Sequence, residues 1–478
     1  MKNTVKLIAL VAVIGFSMIG CPADPSSENP PLSAPPAFTA VTNITGVPSY
    51  KQTDTDLTLS GTVQPANATN KTIVWSIAAT NTLSGATVAN GVLKTPTAGT
   101  ATVTATVTNG ASATANYTKN FSITVTSASS AYPFDDISAA ELVANIKIGW
   151  NLGNTLDAHS DKYEANTSVS TLETLWSNPV TTKAMITTLK NAGFNGIRIP
   201  VSWFKAADSD YKIRADWMAR VVQVVDYAVD NDMYILLNTH HDEHIFKFTN
   251  AEKTESLRAF KKIWEQIADT FKNYDEKLIF EGLNEPRTIG SAAEWNGGTA
   301  EEQNNLNILH QLFVDTVRES GGNNVKRILM VSTYAASATA TAMNGLIIPA
   351  DPLNTSNKII VSIHAYVPYD FALNEKSNVT AWSKNNLSDT MPITEWVDRA
   401  DNLFVSRGIP VILGEFGSLG RNPEAVRSEW AEYYVSYANS KGIKCFWWDD
   451  GGSIKLLNRR TNTFYYPQIV AALMRGSE

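Results

Sequence analysis

Cysteine is almost absent. Cys21 and Cys445 are the only two in 478 residues, so no disulfide framework holds this chain together. A buried core must do so, and a hydrophobic content of 44% is enough to build one. A basic excess is also lacking. The chain has 39 Lys and Arg against 46 Asp and Glu, a formal net charge of −7. That balance argues against a nucleic-acid binder, which would need a basic face, and suits a neutral partner. There is no HExxH helix signature and no Cys cluster to accompany the histidines of "HHDEH" (His240 to His244). Adjacent strand residues point to opposite faces, so His240 and His241 are not expected to share an ion. No GxSxG elbow occurs, which argues against a serine nucleophile. No glycine-rich loop follows a first strand, so nucleotide binding lacks support. No metal and no cofactor is expected.

What is present falls into four stretches. Residues 1–20 carry Lys2 and Lys6, then an apolar run too short to span a bilayer comfortably, and read as a signal peptide. The run ends in Met18-Ile19-Gly20-Cys21, which resembles a bacterial lipobox. That resemblance implies lipidation of Cys21 and a secreted lipoprotein anchored to a membrane, at the cell surface or periplasmic face, by its N-terminal lipid only. The other reading is an ordinary signal peptide with an incidental cysteine. Residues 21–37 are rich in Pro and Ser and read as an extended tether. Residues 38–128 alternate in runs such as "DLTLSGTV" and "GTATVTATVT" separated by turn residues, the pattern of a β-sandwich. Trp75 is expected to anchor its core. The stretch "VANGVLKTPTAGTATVTATV" resembles bacterial immunoglobulin-like modules. A spacer and a carbohydrate-binding module both fit, although no row of exposed aromatics favours the second.

Residues 132–478 change character. Eight apolar runs, from "IKIGWNL" to "IKCFWW", alternate with amphipathic stretches at 179–192, 215–231, 253–273, 301–319, 393–407, 423–441 and 464–475. Glycine often precedes the next strand, as a helix C-cap does. The expectation is a (β/α)8 barrel, with a doubly wound open sheet as the alternative.

Active residues of such a barrel stand at the C-terminal ends of its strands. There the sequence offers Asn151, Asn154 and Asp157 after strand one, Arg198 on strand two and His240 and His241 after strand three. Asn284 and Glu285 follow on strand four, His364 and Tyr366 on strand six, Glu415 on strand seven, and Trp447, Trp448 and Asp449 on strand eight. Glu285 and Glu415 face each other across the mouth, the carboxylate pair that glycoside hydrolysis requires. Glu285 is expected to have a raised pKa beside an anionic neighbour. Arg198 is expected to hold Glu415 ionised by paired hydrogen bonds, with Tyr366 adding another. Asn284 suits a sugar 2-hydroxyl, and Trp448 offers a flat face to a pyranose. Glu281, four residues before Glu285, lies about 13 Å lower at ~3.3 Å per residue. It reads as a buried structural carboxylate paired with a basic or hydroxyl group.

The signatures "GWNLGNTLDA", "NPVTTKAMI", "GFNGIRIPVSW", "LIFEGLNEPR", "IHAYVPYDF", "GEFG" and "FWWDDGG" closely resemble glycoside hydrolase family 5 of clan A, over about residues 136–476. The wording is most similar to subfamily 4, endo-β-1,4-glucanases often active on xyloglucan and mixed-linkage glucan. The resemblance implies a retaining enzyme that needs no metal. It makes Glu285 the acid/base and Glu415 the nucleophile. It makes Arg198, His241, Asn284, His364, Tyr366 and Trp448 further active-site residues, and puts Asn154, Asp157 and His240 along the glycone side. Asp450 departs from the family, which more often has Asn there. The expected partner is a β-glucan chain bound by a monomer, with no nucleic acid. A mannan backbone, or a glycan-binding lipoprotein without turnover, are the competing readings.

Overall fold

The computed structural model describes residues 37–48, 50–53, 56–97, 99–126, 133–160, 167–354 and 357–478. The expected signal peptide, Cys21 and the tether up to residue 36 lie outside the described residues. Among those described, no helix is long and apolar enough to cross a membrane.

The chain divides into two compact units. The smaller takes the residues up to Gly46 with Gly61–Val74 and Ala105–Lys119. In it, Asn43–Thr45 pairs antiparallel with Thr62–Gln64, and Ile44 and Val63 are buried. The larger takes Val47–Ser60, Trp75–Thr104 and Asn120–Glu478. Its N-terminal part is also built of strands: Val92–Lys94 lies antiparallel between Leu57–Thr58 and Thr87–Ala89. Leu59, Leu93, Ala101, Val103, Ile123 and Val125 form the core there, the alternate positions of period-2 runs. Trp75 is half-buried against that core, its ring 6.0 Å from that of Phe121.

The rest of the larger unit is a closed barrel of eight parallel strands in sequential order. They are Gly149–Leu152, Gly196–Ile199, Tyr234–Asn238, Leu278–Glu281, Leu329–Ser337, Ile359–His364, Val411–Phe416 and Lys444–Asp449. All eight apolar runs become strands, and each faces two ways. Ile235, Leu237, Leu278 and Phe280 join the large core beneath the outer helices. Leu236, Ile279, Met330, Ile360, Ile412 and Phe446 face inward and form a floor. The short helix Ala139–Asn145, capped by Ser138 and Glu141, seals that floor with Leu142 and Val143. Phe446 fills the space that Gly149 leaves empty, since a Cβ there would meet its ring at 2.0 Å.

Two residues further along four of these strands, on the same inward side, the character switches. Leu236 leads to Asn238, Ile279 to Glu281, Ile360 to Ser362 and Gly196 to Arg198. A period-2 step thus converts an apolar floor into a buried polar layer directly under the mouth.

Two boundaries differ from the sequence reading. The helix expected at 393–407 runs Leu387–Leu403, because Asn386 caps it through Ser388 N–H and Pro392 is accommodated inside it. Strand four stops at Glu281 rather than at Pro286. Past it, the Gly282 carbonyl accepts from the Thr239 hydroxyl and the Trp264 indole instead of continuing the ladder. Cys445 is buried, and burial raises its thiol pKa, as an inert thiol requires.

Candidate active site

Arg198 organises the site. Its guanidinium is fully buried and spends its N–H groups on four partners. Nε donates to Glu281 Oε2 at 2.7 Å, and Nη1 donates to Glu415 Oε1 at 2.7 Å and Asn151 Oδ1 at 3.0 Å. Nη2 donates to Asn284 Oδ1 at 2.7 Å. The expectation of paired bonds to Glu415 is therefore corrected. Glu415 receives one, because Nε points down into the polar layer, where Glu281 sits. Glu281 also accepts from the Ser362 hydroxyl at 2.8 Å and the Asn238 amide at 3.0 Å. It is the buried structural carboxylate foreseen, with both a basic and a hydroxyl partner. Burial lowers the Arg198 pKa, but Glu281 and Glu415 outweigh it and hold the guanidinium charged.

Above this layer stand the two outer carboxylates. Glu415 ends strand seven and accepts from the Tyr366 hydroxyl at 2.9 Å. Burial, then the charges of Glu415 and Glu285, push the Tyr366 phenol well up, so it remains a donor. Glu285 follows strand four, fixed by Asn284 N–H to Thr239 O at 3.0 Å. His364 Nδ1 lies 3.0 Å from Glu285 Oε1 and 3.6 Å from Glu415 Oε2. One carboxylate oxygen of each glutamate and one His364 nitrogen lie within 4.8 Å of one another.

The expected upward shift of Glu285 is not found. Burial does raise it, but His364, Arg287 and His241 together lower it below the usual value. These three neighbours outweigh the desolvation that burial imposes. Arg287 lies 3.6 Å from Glu285 Oε2 and donates to its carbonyl at 2.8 Å. Arg287 also pairs with Glu243 at 3.2 Å, and His241 lies 3.6 Å from the same Glu243 oxygen. Burial would lower the His241 pKa, yet Glu243, Asp157 and Glu285 raise it. Arg287 and Glu243 escaped the sequence reading, although both sit in quoted motifs.

The other side of the mouth carries Trp448, stacked parallel on His240 with ring centres 5.7 Å apart and 3° between planes. Burial holds His240 neutral, with its pKa well below the usual value, and Asn238 lies 3.2 Å from its Nδ1. Trp176 joins this side as a wall, 5.6 Å from the His241 ring. Trp150, Trp203 and Trp447 are fully buried packing residues. Asn154 adopts a left-handed φ of 55°, which Asn tolerates. The Asn154 and Thr155 N–H groups donate to Asp157 at 3.0 and 2.7 Å. Asp157 is fully buried and shapes this loop from behind. Asn178 and Arg459 tie the same loop to the end of strand eight by bonding carbonyls of Gly153, Asn154, Asp449 and Asp450. The departing residue Asp450 caps its own turn, accepting from the N–H groups of Gly452, Ser453 and Ile454.

His240 and His241 lie past the end of strand three, so alternation no longer separates them. Their rings are 4.4 Å apart, and with Asp157 they bring three potential ligand atoms within 4.8 Å. Contrary to the expectation from strand alternation, the two rings do not point to opposite faces. Both Asp157 oxygens are already bonded to backbone amides, which an ion would have to displace.

The model of the cellulase family, glycosyl hydrolase family 5, matches residues 160–453. "Endoglucanase A" of Clostridium longisporum is 44% identical over 347 residues, 71% of this chain and 66% of that protein. "Cellulase/esterase CelE" of Acetivibrio thermocellus is 45% identical over 351 residues, 72% of this chain. The chain spans only 41% of that second relative's length. Among solved structures, a broad-specificity endoglucanase of Ruminococcus champanellensis with bound cellotriose is 44% identical with a TM-score of 0.69. That likeness covers 72% of this chain and 100% of the other. A mutant lichenase of Caldicellulosiruptor sp. F32 in complex with cellotetraose is 42% identical, with a TM-score of 0.69 over 73% of this chain and 97% of the other.

Proposed function

The chain belongs to glycosyl hydrolase family 5, and from that premise we propose that it is an endo-β-1,4-glucanase that cleaves with retention of configuration. The observation that carries this is the spacing of its carboxylates. Oxygens of Glu285 and Glu415 lie within 4.8 Å of each other. Retaining glycosidases need carboxyl groups about 5–5.5 Å apart, whereas inverting ones leave about 6.5–9.5 Å for a water.

In this reading Glu415 attacks the anomeric carbon while Glu285 gives its proton to the departing oxygen. Glu285 then takes a proton from the water that releases the sugar from Glu415. Arg198 and Tyr366 hold the nucleophile ionised and fixed, and Asn284, oriented by Arg198, faces the sugar 2-hydroxyl. The lowered pKa of Glu285 requires a source for its proton. His364 Nδ1 lies 3.0 Å from the carboxylate oxygen that must carry it. A neutral sugar that displaces water disfavours the charged carboxylate, so Glu285 takes up a proton more readily when the sugar is bound.

The substrate class follows the relatives, which are described as broad-specificity endoglucanases and a lichenase with cello-oligosaccharides bound. The decisive experiment is a product assay on xyloglucan, mixed-linkage glucan, carboxymethylcellulose and mannan, with Glu285→Gln in parallel and the product anomer followed by NMR. Unchanged turnover in Glu285→Gln, or an inverted anomer, would sink the reading. Mannan as sole substrate would remove the glucanase assignment and keep the mechanism.

Placement in the cell is part of the same proposal. Cys21 carries a lipid, the Pro- and Ser-rich stretch to residue 37 is a tether, and residues 38–128 form an immunoglobulin-like spacer. The lipobox-like Met18–Cys21 and the period-2 strands support this. Incorporation of labelled palmitate that disappears in Cys21→Ala would support it; equal labelling of the two would not.

A further inference from the structure

The loops that follow strands one, two and three meet at one buried side chain. Lys205 stands in the short turn Phe204–Ala206 after strand two and is only 6% exposed. Its ammonium donates to the carbonyls of Leu156 at 2.7 Å and Ala158 at 2.5 Å, on either side of Asp157. It also reaches the Leu172 carbonyl at 3.4 Å, and its Nζ lies 4.3 Å from the Trp217 ring centre. Asp157, Asp242 and Glu173 act on it through their charges alone. An ammonium held by carbonyls and an indole face, with no carboxylate bonded to it, is a costly buried charge. An apolar side chain of similar length would fill the same space without that cost.

The neighbours of Lys205 join the same loops. Ser202 Oγ donates to the Asp157 carbonyl at 2.6 Å and accepts from the His241 N–H at 3.1 Å. Asp242, beside His241, holds the turn of Lys205 by accepting from the N–H groups of Trp203 and Phe204. The loop after strand one leans on these groups. The carbonyls of Leu156, Asp157, Ala158 and His159 all accept from side chains elsewhere in the chain, namely Lys205, Ser202, Lys205 again and Trp176. Bonds from a cation are the stronger kind, so Lys205 dominates this set.

We infer that Lys205 is a positioning residue for the hydrolysis. By gripping the carbonyls on both sides of Asp157 it sets the shape of the first loop, and so the hold of the cleft on the sugars that stay with Glu415. The inference rests on the hydrolase reading above, in which those sugars lie on the side of the mouth that Trp448, His240 and the first loop form. Glu285 and Glu415 come from strands four and seven, and the ammonium bonds to neither. Its effect therefore falls on binding made equally in the ground state and the transition state. Such binding is read in KM and not in kcat.

Kinetics on cellohexaose test this. Lys205→Met is expected to raise KM about tenfold and to change kcat by less than about twofold. Lys205→Gln, a shorter neutral donor, falls between that variant and the unaltered protein. A loss of kcat and melting temperature with KM unchanged would mark a structural lysine and overturn the inference, as would no change at all. A second readout needs no Lys205 variant to fold. Burial pushes the Lys205 pKa from 10.5 down to about 7, against the raising charges of Asp157, Asp242 and Glu173, the last paired with Arg220 at 2.8 Å. One N–H and the charge are lost as pH rises through that value, so KM is expected to rise about two- to fivefold across it. Asp242 titrates in the same range, so the profile is recorded on Asp242→Asn. A level KM there, or an equal rise in Lys205→Gln, would overturn the inference. Failure of the unaltered protein to cleave cellohexaose would instead overturn the hydrolase reading beneath it.

Discussion

Arg198 binds two carboxylates and two amides with one guanidinium, so Arg198→Lys is not a conservative change. A lysine ammonium has no fork to span Glu281 and Glu415 together. Leaving Glu281 buried and unpaired is expected to cost about 3–5 kcal/mol, read as a fall in melting temperature beside the loss of turnover. Glu285→Gln is expected to slow polymer hydrolysis by about 10²–10⁴-fold, the range of a general acid. Activated aryl glycosides should lose less, because their leaving group needs little protonation. The lowered pKa of Glu285 sets a pH signature. The free protein loses the Glu285 proton at lower pH than the sugar-bound protein does. The basic limb of kcat/KM, which reports the free protein, is therefore expected at lower pH than that of kcat. After burial itself, His364 exerts the largest effect, a lowering one, so His364→Ala moves the kcat/KM limb upward; a downward move would contradict that effect. Glu285 and Glu415 were legible in the sequence because strand ends are. The joint lowering effect of His364, Arg287 and His241 on Glu285 was not, since Arg287 and His241 reach it from loops whose paths no periodicity encodes.

Loop and turn elements carry the rest of the site's shape. Asp242 caps the short turn after strand two, its Oδ1 accepting from Trp203 and Phe204 N–H at 2.8 and 2.9 Å. Burial pushes its pKa from 3.8 up to about 7. A raised folded-state pKa means that the stability from this proton is complete below pH 3.8 and lost as pH rises through about 7. The melting temperature is expected to fall across that window on account of Asp242. Asp242→Asn keeps the cap without the titration and flattens the profile; an unchanged slope would refute the assignment. Elements were readable wherever period and caps agreed, as in all eight strands and in the helix Lys253–Phe271, whose Phe260, Ile263, Trp264 and Ile267 are buried. They were not readable where a local bond competes with the ladder. Strand four ends early because Gly282 O is claimed by side chains, and the helix at Leu387 begins before Pro392 because Asn386 caps it.

At the scale of the molecule, the family model matches residues 160–453, which lie within the barrel part of the chain. The Ruminococcus champanellensis structure is covered in full by 72% of this chain. A protein consisting of residues 133–478 is therefore expected to fold and to hydrolyse soluble glucan within about twofold of the full chain, the range in which changes away from the site fall. A larger loss would give the N-terminal strands a part in turnover. The barrel also separates its duties by depth: an apolar floor closed by the helix Ala139–Asn145, a polar layer around Glu281, and the mouth above. The middle layer has a practical consequence for anyone improving this protein by directed evolution. Libraries restricted to cleft-facing positions would never sample Asn238, Glu281 or Ser362, yet these residues set where Arg198 sits and hence where Glu415 points. Rate-altering variants should surface there, among positions that no substrate touches.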